Sequence, residues 1–251
     1  MKLLQPITAL IATAIIAFST LANWHSSLTL QDTKTLQLDA DSIQKIKIDV
    51  GSGSLSITGS DTNIIKVVAQ IYQKEAHDNY QLSLTNENAY AMLTSKNKGF
   101  NESTRIDLAL QLPSRFSVNI QDGSGPITLT NVKSANINDG SGSIDISFID
   151  GDVNISDGSG EITVESIQGS LTINDGSGSI TAKSIQGFVT IDDGSGSIDV
   201  KNVKQEVSIS DGSGSINVDQ AKSFTLVDDG SGSVNIKNIA EKVNMNGNNT
   251  F

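Results

Sequence analysis

The chain has no cysteine, only two histidines (His25 and His77), three prolines, and two arginines (Arg105 and Arg115). Without thiols it has no disulfide framework, no thiolate nucleophile and no cysteine metal site, so its folded state rests on an apolar core or on bound ions. The repeated segments place no serine beside a histidine, which leaves nucleophilic triads without a general base. Basic residues are few as well: 17 Lys plus Arg stand against 28 Asp plus Glu, a net charge of -11. Phosphate backbones are held by dense Lys and Arg, so nucleic acid is excluded as a partner, and the surplus acid favours solubility.

What is present begins with Met1-Lys2 and an almost uncharged run from Leu3 to Ala22 that ends in Thr20-Leu21-Ala22. A short positive start, an apolar stretch and a small-residue exit describe a signal peptide cleaved after Ala22. The rival is a single membrane anchor, since the run approaches spanning length, but Pro6 and the small-residue exit favour cleavage. The expectation is an exported protein of the periplasm, outer-membrane surface or extracellular space, with no stable membrane span after cleavage. With no cysteine following, lipid attachment at one is excluded.

Glycine is the residue in surplus, and it recurs in one phrase. Asp-Gly-Ser-Gly starts at Asp122, Asp139, Asp157, Asp175, Asp193, Asp211 and Asp229; the first spacing is 17 residues and every later one is 18. A fixed period of this size marks a solenoid. Within one copy Ile180 and Ala182 alternate with polar residues, as do Val189 and Ile191, which predicts two short strands per copy. Four columns fill with like residues from copy to copy, running from Ile127 to Val234, Leu129 to Ile236, Val132 to Ile239 and Ile137 through Val227 to Met245. Stacked about 4.8 Å apart, they form apolar ladders worth about 1.5–3 kcal/mol per buried residue before chain entropy. The predicted fold is all-β: a parallel β-solenoid, right-handed β-helix-like, with about 18 residues per coil over residues 122–246. A β-rich capping region (23–121) precedes it, and a short tail (247–251) follows and leaves end-to-end self-association open. Phe188 and Phe224 share an outward column here, so either the strand is locally shifted or an aromatic patch is exposed; a shift is favoured.

Three readings compete for the repeated phrase. As a corner, both glycines supply positive φ, and the Asp accepts an N–H two residues on. Carboxylates about 4.8 Å apart in water repel by roughly 0.9 kcal/mol, less than the roughly 1.5–3 kcal/mol of a charge-assisted bond, so the corner needs no metal. Calcium is the alternative, with the doublets Asp192-Asp193 and Asp228-Asp229 as its best ligands, although one carboxylate per corner falls short of six to eight oxygens. Phosphate cradling fails, because such loops open helices and carry a lysine. No other cofactor is implied. Paired carboxylates could suit a polysaccharide-acting enzyme, but a catalytic pair should break the repeat rather than follow it.

Upstream, strands are predicted at Thr35–Asp39, Lys45–Val50, Ser54–Thr58, Ile64–Tyr72, Tyr80–Thr85, Tyr90–Ser95, Arg105–Leu112 and Phe116–Gln121. Lys45-Ile-Lys-Ile-Asp-Val-Gly-Ser-Gly-Ser-Leu, the strand–Pro–strand run from Arg105 to Gly125, and the repeated Gly-Ser-Gly-Ser-Ile and Ile-Gln-Gly corners together resemble the adhesin-like family of bacterial β-strand-repeat envelope proteins, related to the head domain of auto-transporter adhesins. The resemblance spans roughly residues 33–246 and implies a right-handed solenoid, export and an adhesive role, with no catalytic residues. Retention of Asp in all seven corners departs from the family pattern and leaves an ion-binding trait open. The expected contact face is the outward column Thr128, Asp145, Thr163, Thr181, Asp199, Asn217 and Asn235, whose short polar side chains suit glycan hydroxyls or a partner protein.

Overall fold

The computed structural model describes residues 28–98 and 104–245. The expected signal segment (1–22), His25 and the expected tail (247–251) lie outside the described residues. Those residues form strands and turns, without a helix. All eight strands expected upstream form: β1 (Thr29–Asp39), β2 (Lys45–Val50), β3 (Leu55–Ser60), β4 (Ile64–Gln73), β5 (Tyr80–Asn86), β6 (Ala91–Asn97), β7 (Arg105–Pro113) and β8 (Ser117–Gln121). The repeats supply β9 (Ile127–Thr130), β10 (Ser134–Asp139), β11 (Ile144–Ile149), β12 (Val153–Asp157), β13 (Ile162–Ile167), β14 (Leu171–Asp175), β15 (Ile180–Ile185) and β16 (Val189–Asp193). Longer strands that run around a corner complete the rod: β17 (Gly196–Asp211), β18 (Ser213–Asp228), β19 (Ser231–Ile239) and the short β20 (Val243–Met245).

Each coil contributes one strand before the Asp-Gly-Ser-Gly corner and one after it, and both stack parallel, in register, on the coils to either side. Ile144 pairs with Ile162, Ile162 with Ile180, Ile180 with Ile198, and Ile198 with Ile216. These five isoleucines are at most 1% exposed, so each contributes about 2 kcal/mol of burial and packs like on like. The parallel stack does not begin at residue 122. β2 pairs with both β6 and β8, and β3 with both β7 and β9. The coil built on Gly51-Ser52-Gly53 is thus sandwiched, out of chain order, between β6–β7 and the first Asp-Gly-Ser-Gly coil. Antiparallel pairing of β1 with β4, β4 with β7 and β5 with β6 closes this end. Both arginines serve the closure: Arg115 donates to the Ala40 carbonyl at 2.9 Å and to Asn63 Oδ1 at 3.1 Å, while Arg105 lies over the Tyr72 ring and pairs with Asp107 at 3.3 Å.

The copy around Phe224 settles the choice between shift and patch. Val203 still pairs with Ala221, but Val207 pairs with Phe224 and Ile209 with Leu226, one residue early. The corner after Ala221 is one residue shorter, and the strand regains the missing residue as a bulge before Asp228. Phe224 and Leu226 are therefore fully buried, whereas Val227, expected in the inner column, is 51% exposed. Leu226 takes its place and carries Met245. Phe188 is 55% exposed and does not share a column with Phe224.

Candidate functional site

The strand alternation decides where each polar residue points. On the strand after the corner, the pairs Thr128–Asp145, Asp145–Thr163, Thr163–Thr181, Thr181–Asp199, Asp199–Asn217 and Asn217–Asn235 are all in register, so the expected contact row exists as one line along the rod. Thr128, Asp145 and Asn235 are exposed and the other four half-buried. Side chains knit parts of this face together: Ser147 donates to Thr130 at 3.2 Å and Asn235 to Asn217 at 3.4 Å. Lys183, Lys201 and Lys237 mix with Glu165 and Asp219 beside the row, so the face carries both charges.

The strand before the corner presents a second outward row, which the sequence reading passed over: Asn136, Asn154, Thr172, Thr190, Ser208 and Thr225, none of them charged. Its signal was available as the polar partner of the Ile155 to Ile209 column. Also passed over was the corner opposite Asp-Gly-Ser-Gly. There Asn131, Phe148, Ser166, Ser184, Asn202, Gln220 and Asn238 all hold φ between 56° and 64°, a left-handed conformation that Asn tolerates and Phe resists. Phe148 is 60% exposed and borders a shallow groove of about 310 Å³ with Asp61, Asn131 and Asp150.

The Asp-Gly-Ser-Gly corner works differently from expectation in two respects. First, only its second glycine needs positive φ in the regular coils, from 128° at Gly125 to 152° at Gly196. The first glycine is required by crowding: a Cβ on Gly140 would stand 2.6 Å from the carbonyl oxygen of Gly123 in the coil below. Second, the aspartates do not sit in water. Asp139 follows Ile137 by two residues and so points to the same side of the strand, into the rod. From Asp122 to Asp211 the six aspartates are 1–5% exposed, and Asp229 is 8% exposed. Asp139 pairs with Asp157, Asp157 with Asp175, Asp175 with Asp193, and Asp193 with Asp211, which makes a buried carboxyl file. Screened repulsion in water is thus the wrong cost; removal from water is the main one.

The expected turn bond forms in five coils: Oδ1 of Asp139, Asp157, Asp175, Asp193 and Asp211 accepts the Ser N–H two residues on, at 3.0–3.3 Å. Asp122 instead takes the Gly123 N–H at 2.7 Å. After the bulge, Asp228 accepts from Gly230 at 3.2 Å. The other oxygen, Oδ2, has no partner in any of the six aspartates from Asp122 to Asp211. Burial, reinforced by the next carboxyl in the file, pushes Asp122 and Asp139 up to about 6. Asp193 is pushed to about 6 by burial and by its neighbours Asp175 and Asp211. Burial raises Asp157, Asp175 and Asp211 as well.

The calcium doublets are split by the same alternation. Asp193 and Asp229 are buried while Asp192 and Asp228 are exposed, so consecutive carboxylates point to opposite sides of the strand. Among the described residues no three His, Asp or Glu side chains converge as a metal centre requires. His77 sits in an upstream loop, its carbonyl accepting from Gln73 at 3.0 Å.

Several solved structures align with most of the chain at low sequence identity. A candidate adhesin from Bacteroides fragilis aligns over 86% of this chain and 97% of its own at 15% identity, with a TM-score of 0.48. A candidate lipid-binding protein from Parabacteroides distasonis aligns over 86% and 95% at 18% identity, TM-score 0.49. A candidate cell adhesion protein from Clostridium sporogenes aligns over 86% and 99% at 13% identity, TM-score 0.38. No functionally curated protein matches the sequence. The sequence profile of the Toastrack DUF4097 family covers residues 43–250, and the chain belongs to that family.

Proposed function

We propose that the protein is an exported, non-enzymatic surface-interaction module of the cell envelope, whose rod offers rows of short polar side chains to a glycan or a protein. The observation that carries this reading is the register of the outward row from Thr128 to Asn235, an unbroken line of hydroxyl, amide and carboxylate groups repeating at strand spacing. Such groups exchange hydrogen bonds with sugar hydroxyls or with a polar partner at little ordering cost, because the sheet already fixes them. The inward burial of the repeated acids, which shields them from a polymer substrate, supports the non-enzymatic reading.

The test is retention of the purified chain on immobilised envelope polysaccharide and on whole cells, beside a Thr163→Lys/Thr181→Lys variant of the row. Binding that the double variant loses, together with weaker surface attachment of a deletion strain, is the expected result. Unchanged attachment on deletion, or release of reducing ends or unsaturated sugar from the polysaccharide, overturns it.

A further inference from the structure

The least ordinary feature of the molecule is the inward file of aspartates. Each of the six from Asp122 to Asp211 has one oxygen held by a backbone N–H and one, Oδ2, buried without a partner. A buried, unpartnered carboxylate oxygen is costly, and six in one line share that cost with no lysine or arginine to offset it. The charges that act on the file come from within it: Asp139 on Asp122, Asp157 on Asp139 and Asp175, Asp175 and Asp211 on Asp193, and Asp229 on Asp211. Across the rod, the strands after the corner offer only apolar inward columns, such as Ile144 to Ile216. Toward the capped end the file continues as Val50 and then Ser95, both buried and uncharged.

We propose that this file is a proton-binding site built into the rod: the folded coil takes up several protons, seated on the unpartnered Oδ2 atoms, and the rod is tightest in mildly acidic surroundings. Protonation removes the charge while Oδ1 keeps its bond to the turn, so the corner is retained and the desolvation cost falls. A divalent cation is the competing occupant. It needs six to eight oxygens, whereas each coil adds one free carboxyl oxygen, and among the described residues no three acids converge as a metal centre requires.

The sign follows from linkage. Each aspartate is raised in the folded chain above its ordinary value of 3.8, to about 6 where the rise is largest. The folded state therefore holds more protons than the unfolded state between those limits. Stability from this source is complete below about pH 4, falls as pH rises through 6, and levels off above about pH 7.

Urea unfolding of the mature chain across about pH 4.5 to 8 measures this directly, because the slope of stability against pH counts protons taken up. Roughly two or more are expected at about pH 5 from Asp122, Asp139 and Asp193 alone. The net acidic charge also relaxes in acid, so the reading lies in variants. Asp139→Asn should flatten the slope by about one proton, Asp175→Asn should flatten it as well, and each should raise the melting temperature at about pH 7.5 by a few degrees. An infrared carbonyl band of protonated carboxylic acid in the wild-type protein at about pH 5.5, displaced by Asp→Asn, needs no stability comparison and reads the same protons. Asp139→Asn and Asp175→Asn that both leave the slope as in wild type, or absence of the acid band, overturns the proposal. So does a rise in wild-type melting temperature on adding calcium chloride at about pH 7.5 that Asp175→Asn abolishes, which would make the file a metal site.

Discussion

Each coil turns twice, and its two corners solve the same problem by opposite means. At Asp-Gly-Ser-Gly the chain uses glycines, a buried acid and a close approach of backbone to backbone. The opposite corner also has crowded glycines at Gly151, Gly169 and Gly187, but its turning position takes ordinary residues, including Phe148, in a left-handed conformation and buries an aliphatic side chain one residue later. The difference lies in what surrounds the backbone. The glycine corner has no room for a side chain, because the carbonyl of the coil below lies where a Cβ would be. The opposite corner points its left-handed residue outward, where any side chain fits and only backbone strain is felt. Sequence variety at one corner and invariance at the other are therefore both steric consequences.

That contrast can be broken in graded steps. The largest effect is expected at the crowded corner. Gly160 has φ 148°, and a Cβ there would overlap the Gly142 carbonyl, so Gly160→Ala should lose on the order of 3–5 kcal/mol in urea unfolding. Emptying an inner column comes next: Ile155→Ala beside the glycine corner should lose about 3 kcal/mol by the same measurement, from transfer and cavity together. The opposite corner should respond weakly and with the other sign. Phe148→Gly relieves a left-handed phenylalanine and should raise stability by about 0.5–1 kcal/mol in a thermal melt. A loss at Phe148 as large as that at Gly160 would erase the distinction between the corners.

Much of this was legible in the chain. The period of 18 and the alternation within each copy gave the coils, the four inner columns and the outward row, because identical spacing leaves parallel stacking one register. Even the inward Asp could be read, since Ala135, Ile137 and Asp139 continue one alternation; the polar letter suggested a solvated turn and hid the parity. Other features were not legible. The slip at Phe224 is a deletion and an insertion that cancel, so the distance from Asp211 to Asp229 still reads 18. Insertion of β2 and β3 between β6–β7 and β8–β9 is a long-range pairing that no local pattern announces. The left-handed corner had only the asparagines at 131, 202 and 238 as a hint.

The central claim is that the repeated phrase is a corner held by backbone fit and a buried acid, with no metal required to hold the fold. Circular dichroism melts of the purified chain in excess calcium chloride and in chelator test it most directly. The account predicts the same β signal and the same midpoint in both. Loss of the β signal on chelation, or a midpoint several degrees higher in calcium, would contradict it.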